Sequence, residues 1–260
     1  MQTDDLTLDH PDGAMRLYEA RPDGEPGPSG NARAAVIVIQ EAFGVNDHIE
    51  DVTRRFADAG YHAVAPDLFH RAGGGTAPYD DFSKVMPLFE GLDGDDALLR
   101  DVDAALDHLH ASGWDDAQIG IVGFCLGGRI SMLVSLRRPL GAGVGFYGGG
   151  IITGRFPQFP PLVNELPTLT VPWLGLFGDL DGGIPIDDVE QLRGALDPLE
   201  TDTEIVRYPD ADHGFHCDVR ASYNQAAARD GWARTLAWFD SHLARSGGSI
   251  SSAGSIRPAR

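Results

Sequence analysis

Short, fully apolar runs alternate along this chain with stretches whose apolar positions recur every three or four residues. "AAVIVIQ", Ala34 to Gln40, is a continuous apolar run. The stretch "NDHIEDVTRRFADAG" follows it and places Ile49, Val52, Phe56 and Ala59 at helical spacing. Asn46 or Asp47 is positioned to cap that helix and Gly60 to end it. "YHAVAPDLF" reads as a strand broken at Pro66. "DALLRDVDAALDHLH" reads as an amphipathic helix with Leu98, Val102, Ala105, Leu106 and Leu109 on one face. Then come the strand "QIGIVG", a helix to about Arg137, and the strands "GAGVGFYG", "VPWLGLFGD" and "TEIVRYPD". A helix near "IDDVEQLRGAL" separates the last two. The helix "SYNQAAARDGWARTLAWFDSHL" completes the pattern, with Trp232, Leu236 and Phe239 expected to be buried. Strands that are apolar on both faces, alternating with helices, predict an α/β fold with a mostly parallel sheet and helices on each side. The opening segment "DLTLDHPDGAMRLYEA" alternates about a "PDG" turn, which predicts an antiparallel hairpin on the sheet edge. "RPDGEPGPSGNAR" is a polar loop. Residues 1–245 read as one domain, and the Ser/Gly-rich stretch 246–260 as a disordered tail.

Composition narrows the partners. A formal net charge of −19, with Lys84 the sole lysine, repels nucleic acid and anionic lipid surfaces. The acidic start "MQTDDLTLDH" lacks the pattern of a signal peptide. No apolar run approaches the ~18 residues of a membrane span. Cys125 and Cys217 are too few for a disulfide framework. A reducing cytoplasm, no nucleic acid, no membrane, and a monomer or small homo-oligomer are the expectations.

The stretch "IGIVGFCLGGRISML" adds chemistry. A strand ends, Cys125 follows at the corner, and a helix begins. Gly123-Phe124-Cys125-Leu126-Gly127 has the form G-x-C-x-G, a nucleophile elbow carrying sulfur in place of a hydroxyl. A tight turn at the nucleophile excludes bulky neighbours two positions away on either side. The positive end of the following helix favours thiolate, and the Leu126 N–H is offered to a developing oxyanion. A buried packing cysteine would leave both flanking glycines unexplained. The run also lacks the Lys-Ser/Thr of a phosphate-binding loop.

A nucleophile needs a base and a group that orients it, and on an elbow fold these follow in the order acid, then histidine. In "VPWLGLFGDLDGGIP" a strand ends in Asp179 and Asp181, and in "TEIVRYPDADHGF" another ends at His213. Asp181 is the choice for the orienting acid, with Asp179 in reserve. His108 and His110, two apart on a helix, make a poor metal pair. His213, His216 and Cys217 lack an evident fourth zinc ligand. No metal and no organic cofactor is expected.

Together the segments "VIQEAFGVNDHIEDVTRRFADAGYHAVAPDLF", "GIVGFCLGG", "GDLDGGIP" and "YPDADHGF" resemble the dienelactone hydrolase family of the α/β-hydrolase fold, over about residues 30 to 243. The resemblance implies a Cys125–His213–Asp181 triad. It also places Glu41 beside the thiol and gives the Ala42 N–H as the second oxyanion donor with Leu126. It implies hydrolysis of a small-molecule lactone or carboxylic ester through a thioester. Two other readings are a broad carboxylesterase of the same fold and a non-catalytic thiol sensor. The sequence departs from the family at its anion-binding arginines. Between Arg71 and Arg100 there is only Lys84, and four positions after His213 stands Cys217, with Arg220 the next arginine. Phe43, Lys84, Tyr147, His216 and Arg220 are the candidate substrate contacts. Arg129 is either one more or a structural ion-pair partner.

Overall fold

Every position is buried in five consecutive-residue blocks of this chain, and these blocks form the middle of its sheet. The computed structural model describes residues 1–24 and 32–245. The expected disordered tail, and most of the polar loop before the first buried strand, lie outside the described residues.

In chain order the elements are β1 (Gln2–Leu8), β2 (Met15–Arg21), β3 (Ala35–Ile39), α1 (Asp47–Asp58), β4 (His62–Pro66), α2 (Val85–Phe89), α3 (Asp95–Ala111), β5 (Ile119–Phe124), α4 (Leu126–Arg137), β6 (Ala142–Phe146), β7 (Trp173–Gly178), α5 (Ile186–Leu196), β8 (Thr203–Tyr208) and α6 (Gln225–His242). They form one 8-stranded sheet in the order β1-β2-β4-β3-β5-β6-β7-β8. The β1–β2 hairpin is antiparallel and joins β4 antiparallel, while every pairing from β4 to β8 is parallel. This is the α/β-hydrolase arrangement with an antiparallel N-terminal edge.

The chain reverses its direction of travel across the sheet at β3. It runs outward from β3 through α1 to β4, then crosses back through α3 to β5 on the other side of β3. Ile39 pairs with Gly123, so the two strands end level with each other. Open sheets bind ligands in the crevice beyond such a reversal.

The helices form where periodicity places them. Asn46 caps α1 by accepting from the Ile49 N–H at 3.2 Å. All five apolar positions expected on the inner face of α3 are buried. On α6 the expectation was too simple. Phe239 is buried, but Trp232 and Leu236 are only half-buried, and the innermost stripe is instead Ala227, Ala228, Gly231 and Thr235. Small residues face inward there because α6 lies close against the sheet; a Cβ on Gly231 would sit 2.9 Å from the Phe146 ring. Ala59, expected on the inner face of α1, caps the helix and is half-buried.

Candidate active site

Cys125 stands between β5 and α4 with φ 56° and ψ −113°. L residues rarely adopt such a backbone. The packing around it enforces the turn. A Cβ at position 123 would lie 1.8 Å from the Gly127 carbonyl oxygen, and one at position 127 would lie 2.5 Å from that of Ile39. The Cys125 N–H donates to the Phe146 carbonyl at 3.0 Å, holding the corner level with the ends of the neighbouring strands. The sulfur is partly exposed and faces a pocket. Leu126 opens α4, so its amide has no carbonyl one turn earlier in the helix to bond.

His213, after β8, and Asp181, after β7, meet over the corner. His213 Nδ1 lies 2.6 Å from Asp181 Oδ2, and Asp181 Oδ1 accepts from the Gly183 N–H at 2.8 Å. The other candidate acid, Asp179, is held elsewhere: Arg207 grips it with two bonds of 2.7 and 2.8 Å. Burial disfavours the charged form of His213. The negative charge of Cys125 and hydrogen bonds to Asp181 and Cys125 outweigh this and push the imidazole up to about 10.

Glu41, just beyond β3, is fully buried and lies within 3.4 Å of the Arg220 guanidinium. Its second carboxylate oxygen has no hydrogen-bond partner among the described residues. Arg220 lies over the adjoining rings of Phe43 and Tyr79, with each centroid 5.6 Å from its guanidinium. Behind them Cys217 is buried, and desolvation pushes its thiol up to about 11. Glu41 loops back at Gly44, whose N–H donates to the Glu41 carbonyl at 3.4 Å, and this turn presents Ala42 and Phe43.

The pocket has a volume of about 290 Å³. Of the residues singled out in the sequence, Cys125, His213, Ala42, Leu126, Phe43, Arg220 and Arg129 line it. Three do not. Lys84 is exposed on the turn before α2 and does not line the cavity. His216 is buried below it among Phe124, Phe146 and Trp232, with ring centroids at 5.1, 5.0 and 6.2 Å; desolvation drives its pKa far down, so it is a neutral packing ring. Tyr147, at φ 39°, is fully buried with its ring 5.1 Å from that of His213, where it supports the imidazole from behind. Arg129 touches the pocket, but its charge is committed to Asp95 at 2.6 and 3.0 Å and to the Pro160 carbonyl at 2.6 Å. Sequence reasoning missed Tyr79, Phe82, Phe89, Arg155, Phe156 and Phe159, which complete the walls. They sit in loops and a five-residue helix without periodicity, so no pattern marked them.

Two other groupings of histidine and carboxylate exist among the described residues: His10, His70 and Asp101, and Glu19, His62 and His108. The Trp114 indole N–H donates to His62 Nδ1 at 2.9 Å, which leaves the ring proton on Nε2, aimed at Glu19 2.7 Å away. In the other grouping the Asp12 N–H donates to His10 Nδ1 at 3.1 Å, and Arg71 occupies both oxygens of Asp101 at 2.6 and 2.8 Å. His62 and His10 thus carry their hydrogen on Nε2, and the carboxylates of Glu19 and Asp101 are met by ring nitrogens and by Arg21 and Arg71, contacts that pin the hairpin to α3. None of these residues lines the pocket.

The model of the dienelactone hydrolase family matches residues 18–243. The chain belongs to that family. It is 41% identical over 233 residues to a protein of Escherichia coli O157:H7 named "Putative carboxymethylenebutenolidase", covering 86% of this chain and 82% of that one. A Salmonella typhimurium protein of the same name is 40% identical over 239 residues, covering 90% and 85%. Among solved structures, the "Putative Dienelactone Hydrolase" from Klebsiella pneumoniae superposes with a TM-score of 0.83 at 37% identity, covering 93% of this chain and 99% of that one. The chain is therefore a dienelactone hydrolase-like hydrolase. Successive turns, Cys217 N–H to Gly214 O at 3.0 Å and Arg220 N–H to Cys217 O at 3.1 Å, carry Arg220 back to Glu41.

Proposed function

We propose that this protein hydrolyses small carboxylic esters or lactones through a thioester on Cys125, with His213 and Asp181 as its partners. One observation carries the reading: His213, held by Asp181 at 2.6 Å, lines the same pocket as a cysteine perched on a strained corner. The sulfur attacks the carbonyl, and the amides of Ala42 and Leu126 receive the oxyanion. One such donor contributes about 3 kcal/mol to the transition state.

The electrostatics of His213 support a division of labour. Burial disfavours its charged form, and the negative sulfur is the largest of the influences that keep it protonated. Acylation removes that charge. The imidazolium then gives its proton to the leaving alkoxide, and the neutral ring is free to activate water for deacylation. Glu41 acts through Arg220, whose guanidinium it holds within 3.4 Å, and sets the charge around a sulfur whose proton already rests on His213. The two thiols are free, which fits a reducing cytoplasm. Among the described residues no helix is long and apolar enough to cross a membrane.

The test is turnover of ethyl acetate and of a small lactone by the wild type and by Cys125→Ala. Loss of turnover in the variant, with an acyl adduct on Cys125 trapped by rapid acid quench and mass spectrometry, is the expected result. Undiminished turnover by Cys125→Ala overturns it.

A further inference from the structure

We infer that Arg155 is a specificity-determining residue of this pocket, reading an anionic group on the alcohol side of the ester, the part that departs past His213; this rests on the esterase reading above. The make-up of the walls comes first. In a chain with 39 acids against 20 lysines and arginines, the described residues that line the pocket include three arginines and His213 but no aspartate or glutamate. A locally positive opening in a strongly negative molecule focuses anions toward itself.

Two of the three guanidiniums sit against buried carboxylates: Arg129 on Asp95 at 2.6 and 3.0 Å, and Arg220 within 3.4 Å of Glu41. Arg155 makes no ion pair among the described residues. Its Nη1 donates to the Gly183 carbonyl at 3.2 Å, which leaves the other donors of the fork for a ligand.

The fold aims that fork. Arg155 lies in the loop between β6 and β7, pinned by the Gly154 N–H to Gly150 O bond at 3.1 Å and the Arg155 N–H to Phe159 O bond at 3.1 Å. Its side chain crosses a strip of bare backbone: a Cβ on Gly150 would stand 3.2 Å from Arg155 Cβ, and one on Gly149 3.5 Å from Nη1. Gly183 belongs to the turn in which Asp181 accepts from the Gly183 N–H at 2.8 Å and holds His213 at 2.6 Å. One turn therefore sets both the Arg155 guanidinium and the His213 imidazole, on the β7 side of Cys125. Arg220 meets Glu41 on the β3 side. His213 gives its proton to the leaving oxygen, so the group carried by that oxygen extends toward Arg155. A carboxylate on that group gains a charge-assisted, forked contact.

Two isomeric anions separate the sides. 4-Acetoxybutanoate carries its carboxylate on the alcohol part and monoethyl succinate on the acyl part; butyl acetate and ethyl butanoate are their neutral partners. The wild type is expected to favour 4-acetoxybutanoate over butyl acetate in kcat/KM. Arg155→Gln is expected to lower that ratio about tenfold through KM, the size of one lost hydrogen bond to a charged group. Arg155→Lys, which keeps the charge, is expected to hold part of the preference. The ratio of monoethyl succinate to ethyl butanoate should barely move in either variant. No preference in the wild type, a preference that survives Arg155→Gln, or a loss confined to monoethyl succinate overturns the inference. An equal loss on all four esters also overturns it, because that is what a purely structural tie to Gly183 would give. Calorimetric binding of 4-acetamidobutanoate and N-butylacetamide to Cys125→Ala reads the contact without turnover. Tighter binding of the anion, lost in Cys125→Ala/Arg155→Gln, upholds the assignment even if the chain proves inert toward esters; equal binding overturns it. Failure of the thioester reading would show separately, as undiminished turnover in Cys125→Ala.

Discussion

Cys125 keeps a positive φ because its neighbours leave no other path. The 1.8 Å approach that a Cβ on residue 123 would make to the Gly127 carbonyl predicts that Gly123→Ala costs about 3 kcal/mol or more of stability, at the upper end for overpacking against rigid backbone. Chemical denaturation of the variant measures this. The two aspartates after β7 give a sharper contrast. Asp181→Asn should leave the protein folded and lower kcat by about 10³-fold or more, since an amide cannot hold the imidazole in its working tautomer. Asp179→Asn should change kcat by less than about tenfold, because Asp179 meets Arg207 and not His213. Steady-state kinetics on one ester compares the two. The sequence ranked Asp181 first but kept Asp179 in reserve, since both end the same strand. What separates them is Arg207 on β8, 28 positions from Asp179 in the chain, which spacing could not pair with it. His216 was misread for a related reason: its place three residues after His213 suggested the pocket, but its ring turns down into the aromatic core.

Among the elements, those long enough to show a period were legible and the short ones were not. The strands and five of the six helices follow from apolar patterning, including the Asn46 cap of α1. Helix α2 has 5 residues, less than two turns, so periodicity had no window in which to act. It packs with Ala42, Phe43 and Ala77 in a small apolar cluster of its own around Val85. The Arg129–Asp95 pair joins the start of α3 to α4, the helix that follows Cys125, and both side chains are buried. Removing one partner strands a charge, so Asp95→Asn is expected to cost about 3–5 kcal/mol, read as a lowered denaturation midpoint. The sequence left Arg129 open between pocket and ion pair because Asp95 lies 34 positions away on another helix.

For the whole molecule, the net charge of −19 opposes compaction, and salt screens it. Raising NaCl toward about 0.15 M, where the screening length falls to about 8 Å, is expected to raise Tm. A scanning fluorimetry series checks this. His213 adds a pH dependence of definite sign. Its folded pKa is raised from 6.5 to about 10, so its contribution to stability is fully present below pH 6.5 and is lost as pH rises through about 10. The stability difference between the wild type and His213→Ala should therefore shrink across that window, measured by urea unfolding at a series of pH values.

The sequence by itself determined the elements, the parallel sheet with its edge hairpin, and the identity of the corner cysteine. Each is written locally, as a period, a turn residue or a tight run of glycines, and the physics that reads them acts within a few residues. Only the tertiary structure decided which aspartate meets His213, that Arg220 folds back onto Glu41, and that phenylalanines from two distant segments line one pocket and touch at Phe89 and Phe156. Those outcomes depend on where distant side chains come to rest once the sheet has closed, and burial, ion pairing and ring contact are settled by that meeting.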